Sequence, residues 1–118
     1  MKASELRIGN LIFSKETQEN ETMTTISDEY ITFNSITFDY PVIEEIEPVP
    51  LTKEWLLKFG FKQKGSFYRI KDSRLVEVII HDKGIDVCNH SICLPHINHV
   101  HQLQNLYFAL TNEELILK

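Results

Sequence analysis

Long apolar stretches are missing from this 118-residue sequence. No run approaches the roughly 18 residues that cross a bilayer, and the longest candidate, Leu75–Ile80, is broken by Glu77. The first 15 residues hold only the short apolar patch Leu11–Phe13. On that reading the chain is expected to be cytoplasmic, with neither a leader nor a membrane span. Glycine is scarce as well: Gly9, Gly60, Gly65 and Gly84 are the only four, and no two lie within four positions of each other. No glycine-rich loop is therefore available to cradle a nucleotide phosphate. Only two cysteines occur, Cys88 and Cys93, and without an export signal both are expected to remain thiols, so no disulfide is assigned. Basic residues are few in the first half, 3 against 10 acidic ones over residues 1–50. The overall excess of acidic groups argues against a wholly basic nucleic-acid binder.

What is present is a globular composition, 42% hydrophobic and 25% charged, in a length that suits one domain. Within it, residues 1–50 read as an acidic strand-rich lobe and residues 51–118 as a helix, a β-meander and a C-terminal helix. The segments Leu6–Phe13, Met23–Ile26, Tyr30–Phe33, Ile36–Tyr40 and Val42–Ile46 are short and rich in β-branched and aromatic residues, which predicts four or five strands. Gly9-Asn10 reads as a hairpin turn or as a bend inside the first strand, and the polar run Ser14–Thr22 as a solvated hairpin loop.

After Pro48 and Pro50, Thr52 is a helix N-cap, Trp55, Leu56 and Phe59 share one helix face, and Gly60 suits the left-handed position that ends the helix. Phe67–Ile70, Leu75–Ile80 and Ile85–Cys88 predict a β-meander, and Pro95 predicts the first turn of a second helix running to about Leu110. Its apolar stripe is Val100, Leu103, Leu106, Tyr107 and Leu110. Leu115–Leu117 is expected as a terminal edge strand. The fold class is α+β: an N-terminal antiparallel sheet, curled and small-barrel-like, a short helix, a β-meander, and a C-terminal helix packed on the sheet. Trp55, Phe59, Leu103 and Tyr107 are expected in the core.

Three clusters carry chemistry. Cys88, His90, Cys93, His96, His99 and His101 lie within 14 residues, but their spacing is not that of a standard zinc site. Thiols and imidazoles packed near a helix start are the favoured reading, so neither metal nor cofactor is expected. Cys93, His96 and Asp86 could imitate a catalytic trio, as any His-rich segment can, and no enzymatic role is assigned. Glu44, Glu45 and Glu47 alternate with Ile43 and Ile46 as the wet face of a strand. Between Lys53 and Arg74 lie 7 basic residues, interleaved with Phe61, Phe67 and Tyr68. That mixture stacks on bases and neutralises phosphates, which makes Lys58, Lys62, Lys64, Tyr68, Arg69, Lys71 and Arg74 candidate RNA contacts.

The stretches Leu6-Arg7-Ile8-Gly9-Asn10-Leu11, Pro50-Leu51-Thr52-Lys53-Glu54-Trp55-Leu56-Leu57-Lys58-Phe59-Gly60-Phe61 and Val100-His101-Gln102-Leu103-Gln104-Asn105-Leu106-Tyr107-Phe108-Ala109-Leu110-Thr111 together resemble a family of small, largely uncharacterised bacterial and prophage-encoded proteins. The resemblance spans almost the whole chain and supplies no catalytic residues. It implies a phage- or prophage-type, non-enzymatic interaction protein acting inside a bacterial host cell. The first expectation is a counter-defence, anti-CRISPR-like inhibitor of a host RNA-guided nuclease. Glu16, Glu19, Glu21, Glu44, Glu45 and Glu47 would steer it to the nuclease's basic channel, and the nuclease's guide RNA is the other expected partner. An RNA-binding module built on residues 53–74 is the alternative, and a small zinc-binding protein the second alternative.

Overall fold

The computed structural model describes residues 5–15, 17–26, 30–33, 36–39, 46–71, 73–90 and 92–117. The chain divides into two compact units, Met1–Val49 and Pro50–Lys118. The first unit is a five-stranded antiparallel sheet of β1 (Leu11–Ser14), β2 (Glu19–Ile26), β3 (Tyr30–Phe33), β4 (Ile36–Asp39) and β5 (Ile46–Pro48), in the order β4-β3-β2-β1-β5. The bend foreseen at Gly9-Asn10 precedes the first strand: the Arg7 N–H donates to Asn10 Oδ1 at 2.7 Å and the Asn10 N–H to the Arg7 carbonyl at 3.0 Å. A side-chain oxygen that imitates a backbone acceptor closes such a turn, which is why the strand starts at Leu11 rather than Leu6.

The Ser14–Thr22 loop is shorter than expected. Gln18, at φ 60°, turns the chain with its N–H on the Ser14 carbonyl, and pairing resumes at Glu19. Polar residues hid this strand, because an outward face of a sheet carries them by right. Of the strand expected over Val42–Ile46, residues 42–45 lie outside the described residues, and Ile46 opens β5. The sheet is open rather than curled into a barrel: β4 and β5 are its edges, and among the described residues no pairing joins them. β5 is three residues long and ends in Pro48, which has no N–H to offer a further strand. Among the described residues of this unit, Leu6, Leu11, Ile12, Met23, Ile46 and Val49 are the buried apolar ones.

The second unit begins with α1 (Lys53–Lys58), capped as expected by Thr52, whose hydroxyl accepts from the Trp55 N–H at 3.5 Å. Gly60, at φ 90°, ends the helix: its N–H reaches the Leu57 carbonyl and the Phe61 N–H the Leu56 carbonyl, both at 3.0 Å. This paired closure needs the left-handed backbone that glycine adopts without penalty. Leu56, Phe59 and Phe61 are fully buried, whereas Trp55 is half-buried, with the Lys58 ammonium 4.7 Å from its ring centre. Trp55 is therefore a margin residue, and Phe61 takes the core place expected of it.

A meander of five antiparallel strands follows: β6 (Lys62–Lys64), β7 (Phe67–Arg69), β8 (Glu77–His81), β9 (Gly84–Asn89) and β10 (Ile92–Leu94). Three strands were expected. β6 escaped because Lys-Gln-Lys has no apolar residue, and β10 because it has three positions only. Opposed residues share a face, so Tyr68, Val78 and Val87, all buried, line the inner side.

The last helix, α2, spans Val100–Thr111. It starts five residues beyond Pro95, because Gln102 Oε1 accepts the backbone N–H groups of both Asn98 and His99 at 3.0 Å and so sets the helix start. Val100, His101, Leu103, Gln104 and Tyr107 are its buried positions, while Leu106 is half-buried and Leu110 exposed. The buried face is thus turned toward His101 and Gln104 relative to the purely apolar stripe. Within its unit, two contacts fix the ends of α2. Pro50 bridges His99 at one end, and Lys71 pairs with Glu113 just past the other. Leu115–Leu117 is not a strand; Leu115 is buried and Ile116 and Leu117 exposed. Among the described residues no helix is long and apolar enough to cross a membrane.

Candidate nucleic-acid interface

The cross-strand register of the meander assembles the candidate site. Lys62 faces Arg69, Arg69 faces Glu77, Glu77 faces Cys88, and Cys88 faces Cys93, so one row of side chains crosses all five strands. The neighbouring row on the same face is Lys64, Phe67, Ile79 and Asp86. Successive residues of a strand point to opposite sides, so this is the side away from Tyr68, Val78 and Val87. Lys62 and Lys64 are exposed, Phe67 and Arg69 half-buried. The Arg69 guanidinium carbon stands 5.3 Å from the Phe67 ring centre, a cation beside an aromatic face on the wet side of a sheet.

Arg69 is fixed from behind. Its Nε and Nη2 donate to Glu77 Oε2 at 2.7 and 2.6 Å, and the other carboxylate oxygen of Glu77 lies 3.6 Å from Arg74 Nε. The Glu77 side chain is only 2% exposed, so this forked pair is a buried one on the carboxylate side. Lys71 follows in a left-handed conformation, φ 54°, uncommon for a residue with a Cβ. Its ammonium donates to Glu113 Oε2 at 2.7 Å. That hydrogen bond holds the Glu113 carboxyl below the ordinary carboxylate range, and raises Lys71 above the ordinary lysine range. Gly60, Lys62, Lys64, Arg69 and Lys71 line a cavity of about 240 Å³. Among the described residues neither Lys62 nor Lys64 has an ion-pair partner.

Four of the seven expected RNA contacts, Lys62, Lys64, Arg69 and Lys71, are thus brought together. Tyr68 is not: it is buried on the inner face of the meander, and Phe67 supplies a half-buried ring on the outer face instead. Lys58 lies over Trp55 on α1, and Arg74 beside Glu77. Glu77, Glu113 and Gly60 were not among the expected site residues. A signal for Glu77 existed, since a carboxylate between Val76 and Val78 in an apolar strand requires a cation opposite it, and Arg69 lies one hairpin away.

The acidic candidates do not form a comparable face among the described residues. Glu21 is buried opposite Ile12, Glu19 is exposed, and Glu47 pairs with Lys15 at 3.5 Å. Glu16, Glu44 and Glu45 lie outside the described residues. The cysteine and histidine cluster is corrected: Cys88 and Cys93 are joined as a disulfide between β9 and β10, with Cα atoms 4.0 Å apart. Directly opposed strand positions bring Cα atoms within ~4.5–5.5 Å, near enough for sulfurs to meet, which the expectation of two thiols overlooked. His101 is buried, His96 exposed, and among the described residues no three His, Cys, Asp or Glu side chains assemble to hold a metal ion. Asp86 accepts from or donates to no cysteine; its partner is His81 Nε2 at 3.0 Å.

No family model, curated protein or solved structure matches this chain.

Proposed function

We propose that this chain is a non-enzymatic interaction protein of prophage type whose second unit binds single-stranded RNA on the outer face of its meander. The observation that carries the reading is the shared face of Lys62, Lys64, Phe67 and Arg69, a half-buried aromatic ring among cations at the exposed β6 edge of the sheet. Such a platform stacks one base at about 1–3 kcal/mol and tracks the backbone through its positive groups. Arg69 is held by Glu77 before any ligand arrives, so its guanidinium plane loses little freedom on stacking.

The competing reading, an acidic inhibitor docking on an RNA-guided nuclease, draws on Glu19 and on residues outside the described ones; the burial of Glu21 and the pairing of Glu47 with Lys15 weaken it. Fluorescence anisotropy with labelled single-stranded RNA at two salt concentrations tests the choice. Binding is expected to weaken with salt by a log–log slope of about 0.7 per neutralised phosphate, and Phe67→Ala to weaken it further. Absence of RNA binding, together with salt-sensitive capture of a purified RNA-guided nuclease, would replace this reading by the inhibitor one.

A further inference from the structure

We infer that the cavity beside β6 is a subsite for a dianionic phosphate monoester, the terminal phosphate of an RNA strand. The inference rests on the RNA reading and names the part of the strand that this edge takes. Four of its five lining residues, Lys62, Lys64, Arg69 and Lys71, are cationic. Two of the four are already answered, Arg69 by Glu77 and Lys71 by Glu113. Lys62 and Lys64 keep their charge without a partner among the described residues, and Lys62 stands directly opposite Arg69, a like-charge pairing that costs stability in a sheet. Among the described residues the cavity therefore retains two positive charges that an anion would relieve.

An internal phosphodiester brings one negative charge, whereas a terminal phosphate monoester carries about 1.5 to 2 at neutral pH, which matches what the cavity holds over. At about 240 Å³ the space is below the ~300–1,000 Å³ that encloses a whole ligand, so it takes a group and not a complete nucleotide. Its place agrees with a strand end. β6 is the last strand of its sheet on that side, so RNA stacked over Phe67 and running toward β6 reaches the rim of the platform there. Arg69 and Lys71, already oriented by carboxylates, present donors to the phosphate oxygens while Lys62 and Lys64 neutralise them.

The test compares RNA hexamers carrying a 5′-phosphate, a 3′-phosphate or neither, titrated into the full chain at fixed salt, with inorganic phosphate as a separate probe followed by NMR. One phosphorylated hexamer is expected to bind about tenfold more tightly than the unphosphorylated one. Lys62→Gln with Lys64→Gln should erase that preference without lowering Tm, since both lysines are exposed and Lys62 faces a like charge. Lys83→Gln, in the turn between β8 and β9, should keep it. Equal affinity for all three hexamers overturns the subsite and leaves the RNA reading standing. Hexamers that fail to bind while inorganic phosphate shifts the Lys62 and Lys64 signals overturn the RNA reading and keep the anion site; silence from both probes overturns both.

Discussion

The two sheets have five antiparallel strands each, but they are wound and charged differently. In the first unit the fifth strand returns to pair with the first, so the chain order is broken and β1 is covered on both sides. In the second unit every strand pairs with its sequence neighbour, and the order of the sheet is the order of the chain. Two ion pairs make the contrast. Lys15 with Glu47, in the first unit, is half-exposed at both ends, while Arg69 with Glu77, in the second, has its carboxylate buried. The lesson is that the Lys15–Glu47 pair is a surface coat, whereas the Arg69–Glu77 pair is built into the framework of its sheet.

Measurements can break or sharpen that contrast. The largest effect should come from the apolar core and be blind to charge. Leu103→Ala, at a fully buried position of α2, is expected to cost about 2–5 kcal/mol in denaturant unfolding. A loss under about 0.5 kcal/mol would remove Leu103 from the core. Next, Arg69→Ala leaves the buried Glu77 carboxylate with Arg74 alone, at 3.6 Å, and should cost about 3 kcal/mol. Lys15→Ala, its counterpart on the first unit, should cost under about 0.5 kcal/mol, and equal losses for the two would end the distinction between coat and framework. Reducing the Cys88–Cys93 bond should cost about 2 kcal/mol from the short loop it closes, with faster amide exchange at Ile92 and Leu94 and none of it in the cysteine-free first unit.

The smallest effect concerns Lys71 and Glu113. Glu113 is depressed on folding, so its contribution is present above its unfolded value and is lost as pH falls through the lowered one. Lys71 is raised, so its contribution is complete below the ordinary lysine range and is lost as pH rises through the raised one. The bridge should hold between those limits. Glu113→Gln should flatten a shallow fall in Tm on the acid side; an unchanged profile would mean that solvent and salt already screen the pair.

The α+β class, the cap at Thr52 and the stop at Gly60 were legible because each rests on local chemistry. A hydroxyl before a helix and a glycine after it act wherever they stand. What could not be read depends on partners far along the chain. β6 carries only polar residues and exists because β7 pairs with it. The start of α2 is set by Gln102 reaching back to Asn98 and His99, a side-chain choice that the apolar pattern does not contain. Of the site, the cations and the aromatic character of Lys53–Arg74 were plain, but not which ring faced outward. Phe67 and Tyr68 are neighbours, and a one-residue shift in register decides which is buried. Glu77, Glu113 and the disulfide needed the register itself.

The row that crosses the meander from Lys62 to Cys93 has a mechanical meaning. Its seams are unequal: β9 and β10 are sewn by a covalent bond, β7 and β8 by a forked ion pair, and β6 meets β7 across two like charges. A fabric stitched in this way frays from one selvage only. The loose hem is the basic one, and a bound polyanion would be the thread that finishes it.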